Sequence, residues 1–313
     1  MKKVCILGGS GFVGYHLVAK LSSRGFACRL LIRHPKRHAL LKVCPNTELI
    51  QTHRLDTKTL TEQYTDCHTI INLIGILNES KTQKFRDIHI ELVDTIVDAA
   101  IQAGASRLLH MSALNADAGK GLSKYLRSKG EGENRAHTYG STALDVTSFR
   151  PSVIFGPGDS FFNRFASLLR LSPFIFPLAS PQSRFAPVFV DDVTEAFVVA
   201  MENPETVGKH YELCGPQSYS LSALVKYTAD TLGIKRWVIP LNDGLSRLQA
   251  HLLGHVPGRP FTLDNFLSMQ SDSICQQNGL SELGIQPQAI ESHVPLYLMN
   301  RGYRGRFDHY RSQ

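Results

Sequence analysis

Residues 3–25, KVCILGGSGFVGYHLVAKLSSRG, decide the fold of this chain. The stretch opens with a short apolar run, which predicts a buried strand, and continues through a turn that contains four glycines. Val13, Leu17 and Leu21 then recur every fourth position, which predicts an amphipathic helix, and Gly25 is typical of a helix end. Strand, glycine-rich turn and helix in this order begin a βαβ unit of the kind that binds a dinucleotide.

The glycine turn satisfies both G-x-G-x-x-G and G-x-x-G-x-x-G. In such a loop one glycine makes the tight turn, one lets the backbone approach a pyrophosphate, and one lets the helix pack closely on the strand. The pyrophosphate then meets free N–H groups at the positive end of the helix. A purely structural turn is the alternative. The cofactor-binding residues predicted from this loop are Gly8, Ser10, Gly11, Phe12, Val13 and Gly14.

Apolar runs and amphipathic segments alternate along the first 150 residues. The predicted strands are 3–7, 26–33, 48–51, 69–74, 107–112 and 144–149, and the predicted helices include 12–24, 85–103 and 123–137. Because the strands are continuously apolar, the sequence predicts a parallel sheet that is covered on both faces. We therefore predict a Rossmann-type, doubly wound α/β fold.

The amino-acid composition changes after Arg150, where six prolines fall within 37 residues and predict a loop-rich stretch. Predicted helices resume at 192–201, 220–232 and 243–253. We predict an NAD(P)-binding domain over residues 1–155. Residues 156–313 form a smaller, loop-rich and helical C-terminal lobe on the substrate side, with some segments returning to the sheet.

The composition is that of an ordinary globular protein, since 42% of the 313 residues are hydrophobic and 19% are charged. No apolar run approaches the roughly 20 residues of a membrane helix. The apolar run after Lys3 ends at Gly8, too early for a signal peptide, so we predict a cytoplasmic location.

The six cysteines form no Cys-x-x-Cys pair, which argues against a disulfide framework and fits a reducing compartment. The thirteen histidines show no ligand spacing, so we predict no metal.

The net charge of +7 is concentrated in the first half of the chain. Residues 1–150 carry 21 Lys and Arg against 13 Asp and Glu, a balance of +8, whereas residues 151–313 carry 13 against 14, a balance of −1. A dinucleotide, a nucleic acid or an anionic membrane would suit this positive field, as would an ordinary solvated surface. The basic residues are not interleaved with aromatic ones, so we predict no nucleic-acid partner.

The second strand ends at a basic turn that bears on cofactor choice. A site specific for NAD(H) expects Asp or Glu there to hold the ribose 2′-OH, whereas Arg33 favours the 2′-phosphate of NADP(H), with Arg37 or Lys36 closing over it. A solvated basic turn is the alternative. Asp56, after the third strand, is placed either to face the adenine or to cap the following helix.

Tyr125 and Lys129 stand four residues apart, which places a phenol and an ammonium on one face of a predicted helix. A nearby ammonium favours the phenolate, so we expect Lys129 to lower the pKa of Tyr125. Such a tyrosine can pass a proton to or from a substrate oxygen while a nicotinamide carries the hydride. The position of the pair between the fifth and sixth strands favours this interpretation over chance.

Three motifs together resemble the extended or atypical short-chain dehydrogenases/reductases: Gly8-x-x-Gly11-x-x-Gly14, Tyr125-x-x-x-Lys129, and Arg150-Pro151-x-x-x-x-Gly156-Pro157. Longer segments resemble one subgroup, the complex I alpha-subcomplex subunit 9 family, which comprises a dehydrogenase-like accessory subunit of respiratory complex I and its bacterial homologues. Those segments are NLIGIL (72–77), MSALNAD (111–117), YLRSKGEGE (125–133), RPSVIFGPGDSFFNRFA (150–166) and FVDDVTEAF (189–197). The resemblance covers residues 1 to about 235.

The resemblance implies a bound NADP(H) and catalytic roles for Tyr125, Lys129 and Ser112. Leu114 stands where active members of the superfamily carry a serine, and His89 where they carry the asparagine that places the lysine. These two differences from the active members affect the expected turnover rather than the expected cofactor binding. The cofactor contacts implied beyond the glycine loop are Arg33, Arg37, Asp56, Leu73, Gly75, Lys129 and Pro151.

Two functions remain open. The first is an NADP(H)-dependent oxidoreductase or epimerase-like enzyme for a small apolar carbonyl or quinone-type substrate. The second is a nucleotide-binding accessory or assembly protein linked to respiratory complex I or quinone metabolism.

Three further segments bear on partners and on local structure. The apolar residues 160–176 are core, line a pocket or face a membrane. Arginines 301, 304, 306 and 311 would suit an acidic lipid surface, which allows peripheral contact with the inner membrane. Asp191 and Asp192 are predicted to cap the following helix rather than to act as an acid–base pair.

Overall fold

The computed structural model describes residues 2–140, 143–256 and 259–299. The strands are β1 (Lys3–Leu7), β2 (Ala27–Ile32), β3 (Thr47–Gln51), β4 (Thr69–Asn72), β5 (Arg107–Met111), β6 (Asp145–Pro151), β7 (Ile154–Phe155), β8 (Ile175–Leu178), β9 (Arg184–Phe185), β10 (Val188–Phe189), β11 (His210–Leu213), β12 (Tyr219–Ser220) and β13 (Trp237–Pro240). The α-helices are α1 (Phe12–Ser23), α2 (Thr57–Tyr64), α3 (Leu92–Gln102), α4 (Lys124–Gly140), α5 (Phe162–Leu171), α6 (Val190–Glu202), α7 (Leu221–Thr231), α8 (Asp243–Gly254), α9 (Leu263–Ser268), α10 (Gly279–Glu282) and α11 (Ile290–Leu298).

Seven of these strands form one parallel sheet in the order β11-β6-β5-β4-β1-β2-β3. The chain runs outward from β1 to β3 and then crosses to β4, on the other side of β1. This reversal leaves a crevice outside the carboxyl ends of β1 and β4, where open α/β sheets bind their ligands. The predicted Rossmann-type, doubly wound α/β fold is confirmed.

Both faces of the sheet are covered by helices. Helices α1 and α6 pack on one face, where Leu17 and Val193 belong to the same buried cluster. Helices α2, α3 and α4 cover the other face, with Tyr64, Ile96 and Ala136 in a second cluster. Because neither face meets water, the strands can be apolar along their whole length, which is why they read as continuous runs.

All six predicted strands are present, with their ends displaced by at most two residues. The prediction missed β11, which pairs in parallel with β6 at the edge of the sheet. The predicted helix 85–103 contains a π-helical turn, Asp87–Glu91, before α3 begins. Such turns occur often at functional sites, and here the turn carries His89.

The residues beyond 155 contribute β11 to the sheet and also build a third apolar core. Phe162 and Leu169 are fully buried in this core, whereas Leu171 and Phe174 are 81% and 78% exposed. The apolar stretch 160–176 is therefore core at its start and surface at its end. The arginines at positions 301, 304, 306 and 311 lie outside the described residues.

A disulfide joins Cys214, the residue after β11, to Cys275. The cysteine pattern argued against a disulfide framework and gave no sign of this single bridge. The partners are 61 residues apart in the sequence, so no local spacing signalled them, but the fold brings their Cα atoms to within 6.0 Å of each other.

Among the described residues, no helix has the length and hydropathy needed to cross a bilayer.

Candidate cofactor and catalytic site

The glycine loop forms a tight turn at the carboxyl end of β1. Gly8 has a φ of +78°, and its carbonyl accepts a hydrogen bond from the Gly11 N–H at 2.9 Å. A Cβ atom on Gly14 would lie 2.4 Å from the same carbonyl oxygen, so only glycine permits this close packing. No side chain caps the start of α1, so its first N–H groups are available to an anion. The other predicted loop contacts are half-buried: Ser10, Phe12 and Val13.

The loop lies directly against the end of β4. A Cβ atom on Gly8 would lie 3.0 Å from the carbonyl carbon of Leu73, so the two backbones approach at the crevice. Gly75, two residues further on, is exposed at the same edge, whereas Pro151 at the end of β6 is buried. The Pro151 carbonyl accepts a hydrogen bond from the Leu114 N–H at 3.0 Å. The glycine loop, the end of β4 and Gly75 thus lie together along the crevice.

The basic turn after β2 is solvent-exposed. Arg33 follows β2 directly, and neither it nor Arg37 has a side-chain partner among the described residues. Asp56 accepts a hydrogen bond from the Thr59 N–H at 2.9 Å and caps α2, and this bond lowers the pKa of its carboxyl group. The capping interpretation of Asp56 is confirmed, whereas its contact with adenine stays a prediction.

Lys129 is buried on α4 and reaches towards the crevice. Its ammonium donates a hydrogen bond to the Met111 carbonyl at 2.5 Å and lies 3.8 Å from the place that a Cβ atom on Gly75 would occupy. Burial lowers the pKa of Lys129 to about 8, and the nearby carboxylate of Glu133 opposes this shift. An ammonium placed at the open edge beside Gly75 is suited to the hydroxyl groups of a bound ribose.

Tyr125 lies one turn before Lys129, and its ring packs edge-on against Phe85 and His89, with centroids 6.0 and 5.7 Å away. Burial raises the pKa of Tyr125 to about 12, so the expectation that Lys129 lowers it is wrong in this structure. Desolvation of the phenolate accounts for this direction, and the Lys129 ammonium donates its hydrogen bond to the Met111 carbonyl instead.

His89 holds the first turns of α4 in place through hydrogen bonds. Its Nε2 accepts a hydrogen bond from the Ile76 N–H at 3.0 Å, which leaves Nδ1 to donate to Ser128 Oγ at 2.8 Å. Ser128 in turn donates to the Tyr125 carbonyl at 2.9 Å. Burial, and then the charge of Lys129, lower the pKa of His89 to about 3, so the ring is neutral. Both ring nitrogens are occupied, and His89 therefore positions the helix rather than moving protons.

Ser112 is tied into a buried network. Its hydroxyl donates to Glu133 at 2.6 Å, and the same carboxylate accepts two bonds of 2.9 Å from Arg150 Nε. Leu114, at the position where the family carries serine, packs in an apolar cluster that also contains Cys214. The hydroxyl of Ser112 is therefore engaged by Glu133, and its catalytic role stays a prediction. The sequence analysis missed Glu133, although its position four residues after Lys129 could have revealed it.

A second missed residue, Asp264, holds the beginning of α4 from the C-terminal part of the chain. One carboxylate oxygen accepts the Lys124 N–H at 2.8 Å and the other accepts the Tyr125 N–H at 3.1 Å. Carboxylates favour this position because it satisfies orphan N–H groups at the positive end of a helix. No local pattern pairs residues that are 139 positions apart.

Asp191 and Asp192 lie inside the first turn of α6, which starts at Val190, and place negative charge at its positive end as predicted. The predicted side-chain cap is wrong, because no side chain caps this helix. Asp192 instead accepts two hydrogen bonds from Gln288, from its N–H and its Nε2, both at 2.8 Å.

Within the part of the chain that the structure describes, no cluster of three His, Cys, Asp or Glu side chains could hold a metal ion.

Comparison with known proteins agrees with this geometry. Residues 4–214 match the sequence model of the NAD dependent epimerase/dehydratase family. The chain is 28% identical over 309 residues to NADH dehydrogenase (ubiquinone) 1 alpha subcomplex subunit 9, mitochondrial, of Rattus norvegicus, covering 96% of this chain and 80% of that protein. It is 27% identical over 240 residues to a ceramide reductase of Caulobacter vibrioides, covering 77% of this chain and 74% of that one.

Solved structures share the fold. The dTDP-glucose 4,6-dehydratase DesIV from Streptomyces venezuelae, with NAD and TYD bound, superposes with a TM-score of 0.75 at 18% identity, covering 97% of this chain and 98% of that one. A UDP-glucose 4-epimerase from Thermotoga maritima gives a TM-score of 0.73 at 16% identity, with 95% and 98% covered. At these identities the likeness concerns the fold alone.

Proposed function

Because the chain belongs to the NAD dependent epimerase/dehydratase family, we propose that it is an NADP(H)-dependent oxidoreductase, or an epimerase-like enzyme, for an apolar carbonyl or quinone-type substrate. One observation carries the proposal: Tyr125 and Lys129 share one face of α4, and the Lys129 ammonium lies 3.8 Å from the Cβ position of Gly75 at the cofactor crevice. The name of the Caulobacter relative, a ceramide reductase, supports a lipid-like substrate.

The two residues suit proton donation in the direction of reduction. The bound nicotinamide supplies the hydride. Tyr125 keeps its proton at neutral pH because its pKa is about 12, and it can donate that proton to the oxygen on which negative charge develops. Lys129 is charged below about pH 8, and we assign its ammonium to the cofactor ribose rather than to the phenolate.

The chain's own residues would hold the cofactor along the crevice. The glycine loop and the first N–H groups of α1 suit the pyrophosphate, and Lys129 suits the nicotinamide ribose. The exposed guanidinium groups of Arg33 and Arg37 favour the 2′-phosphate of NADP(H). We assign residues 1–155 to cofactor binding and residues 156–313 to the substrate side.

Cofactor preference is tested by titrating NADPH and NADH against the wild type and Arg33→Ala, with Lys226→Ala, an exposed cation on α7, as the matched control. A charged hydrogen bond to the 2′-phosphate is worth roughly 1.5–3 kcal/mol, or about 10- to 150-fold in affinity. We expect this preference in the wild type and in Lys226→Ala, and its loss in Arg33→Ala. Equal wild-type affinities for the two cofactors would contradict the assignment.

Catalysis is tested by assaying the purified protein for co-purified NADP(H) and then for NADPH oxidation with carbonyl and quinone compounds. Once a substrate is found, Tyr125→Phe should lower turnover by about 10²- to 10⁴-fold while cofactor affinity is unchanged. Lys129→Met should lower both. Turnover by Tyr125→Phe at the wild-type rate would remove Tyr125 from the mechanism.

A second candidate function is a nucleotide-binding accessory or assembly protein, in peripheral contact with the inner membrane or a respiratory complex and otherwise cytoplasmic. Two observations favour it: Ser112 is engaged by Glu133, and Leu114 replaces the usual serine. The subunit 9 relatives carry the name of a respiratory enzyme, which supports the same idea. Tight NADPH binding together with a substrate screen that shows no turnover would decide for this candidate.

A further inference from the structure

A cavity of about 290 Å³ lies between the beginning of α4, α9 and the segment after β4. Small-molecule sites usually measure about 300–1,000 Å³, so this cavity, which we term the α4–α9 cavity, has room for one end of a ligand. It is lined by Asn78, Glu79, Phe85, Lys124, Arg127, Arg259, Thr262, Leu263, Asp264 and Leu267.

The cations of the cavity are available, whereas its carboxylates are engaged. Lys124 and Arg127 are exposed, and neither side chain has a partner among the described residues. Both oxygens of Asp264 accept backbone N–H groups of α4, and Glu79 accepts the Phe85 N–H at 3.0 Å. The third cation, Arg259, donates to the Glu79 carbonyl at 2.6 Å. The three cations and two carboxylates leave the lining with a net charge of +1, and an incoming anion would meet Lys124 and Arg127 with no competing side-chain partner.

The rest of the lining is apolar. Phe85, Leu263 and Leu267 contribute hydrocarbon surface, and Leu263 is 46% exposed. A small inorganic anion would leave this surface in contact with water, whereas a ligand with an apolar chain next to its charge would cover it. The lining thus matches an amphiphile rather than a free ion.

The cavity adjoins the candidate catalytic residue. Lys124 precedes Tyr125 on α4, and the ring of Phe85, which lines the cavity, is 6.0 Å from the ring of Tyr125. A ligand anchored on Lys124 and Arg127 would therefore have its neighbouring atoms close to Tyr125.

We propose that the α4–α9 cavity binds the anionic end of an amphiphilic substrate, a phosphate or carboxylate group attached to an apolar chain, and so places the substrate beside Tyr125. This inference rests on the proposed function in taking the ligand to be the substrate. The site itself does not depend on turnover, because binding can be measured directly.

The test uses isothermal titration of the full chain loaded with NADPH, with decyl phosphate below its critical micelle concentration as the probe. Decanol and inorganic phosphate serve as the two half-ligands. We expect decyl phosphate to bind at least tenfold more tightly than either one, because only it satisfies both parts of the lining. Lys124→Ala and Arg127→Ala should each weaken it by about tenfold, a charged hydrogen bond of about 1.5 kcal/mol.

Controls separate the site from general charge and from misfolding. Lys226→Ala removes an exposed cation from α7 and should leave decyl phosphate binding unchanged, and every variant should bind NADPH within about twofold of the wild type. If inorganic phosphate binds as tightly as decyl phosphate, the cavity binds anions without recognising an apolar chain, and the proposal fails. Equal affinity for decanol, or an equal loss in Lys226→Ala, would overturn the proposal.

The two proposals can fail separately. If decyl phosphate binds as expected but no carbonyl or quinone compound is reduced, the cavity stands and the proposed function fails. If a substrate is reduced while Lys124→Ala and Arg127→Ala change neither its KM nor probe binding, the proposed function stands and the inference about the cavity fails.

Discussion

The glycine loop and the beginning of α4 lie at the same edge of the sheet but are held in place in different ways. The loop is fixed within seven residues, by the hydrogen bond from Gly11 to Gly8 and by the close packing at Gly14. The beginning of α4 is fixed by Asp264, 139 residues after Tyr125. The glycine loop is thus shaped by contacts within a short segment, whereas the beginning of α4 depends on a contact between distant parts of the chain.

The largest loss of stability should come from reducing the Cys214–Cys275 disulfide, which joins two distant parts of the chain. The disulfide closes a loop of about 60 residues, for which chain entropy predicts a stabilisation of about 4 kcal/mol. Urea denaturation should show this loss on reduction, while the folded protein keeps its NADPH affinity because the glycine loop does not involve either cysteine. The Cys214→Ala/Cys275→Ala variant should be insensitive to reductant, and equal urea midpoints for the oxidised and reduced wild type would contradict the prediction.

Gly14→Ala tests the local side of the comparison. Its Cβ atom would lie 2.4 Å from the Gly8 carbonyl oxygen and 2.6 Å from the Gly9 Cα, and these backbone atoms cannot rotate away. We expect a destabilisation of roughly 1–3 kcal/mol, typical of overpacking, together with loss of NADPH binding in a fluorescence titration. Gly119→Ala is the matched control, because its Cβ atom meets only the Asp117 carboxylate at 3.6 Å. Normal binding by Gly14→Ala would show that the loop tolerates a side chain.

A third prediction concerns Lys129, where the two regions meet. Its pKa is about 8 in the folded protein against 10.5 for an ordinary lysine, so NADPH affinity should fall by up to about tenfold between pH 7 and pH 9 as the ammonium is lost. The stability of the cofactor-free protein should change in the opposite direction. The unfolded chain binds the extra proton between about pH 8 and 10.5, so stability increases as the pH rises through this window. Lys129→Met should flatten both profiles, and a pH-independent wild-type affinity would contradict the assignment.

The smallest effect is expected from Asp264→Ala, which removes the carboxylate that holds α4. Loss of a helix cap typically costs about 1 kcal/mol, so the amides of Lys124 and Tyr125 should exchange with deuterium about fivefold faster. Asp264→Asn keeps one acceptor oxygen and should show a smaller change. NADPH affinity should stay within about twofold in both variants. Unchanged exchange in Asp264→Ala would mean that other contacts position α4.

The same difference explains what the sequence could reveal. Strand β1 and the glycine loop were predicted because their signals, an apolar run and glycine spacing, lie within a few residues. Strand β11 was missed because its four residues, only two of them buried, follow a loop and resemble their surroundings. The contacts of Asp264 and Cys275 carry no spacing signal, since each partner lies more than 60 residues away. Tyr125 was placed on the correct helix, but its pKa depends on burial, which local spacing does not encode.

The return of the chain to the sheet at β11 restricts how this fold can be divided. Residues 148–151 of β6 pair with β11, so a fragment that ends at residue 155 would expose the backbone of β6 as a bare edge. Arg107 would also lose its hydrogen bonds to the Ala200 carbonyl and to Thr206, and would keep only the one to Thr147. Recombination between relatives with a crossover at residue 155 would therefore produce a protein prone to aggregate.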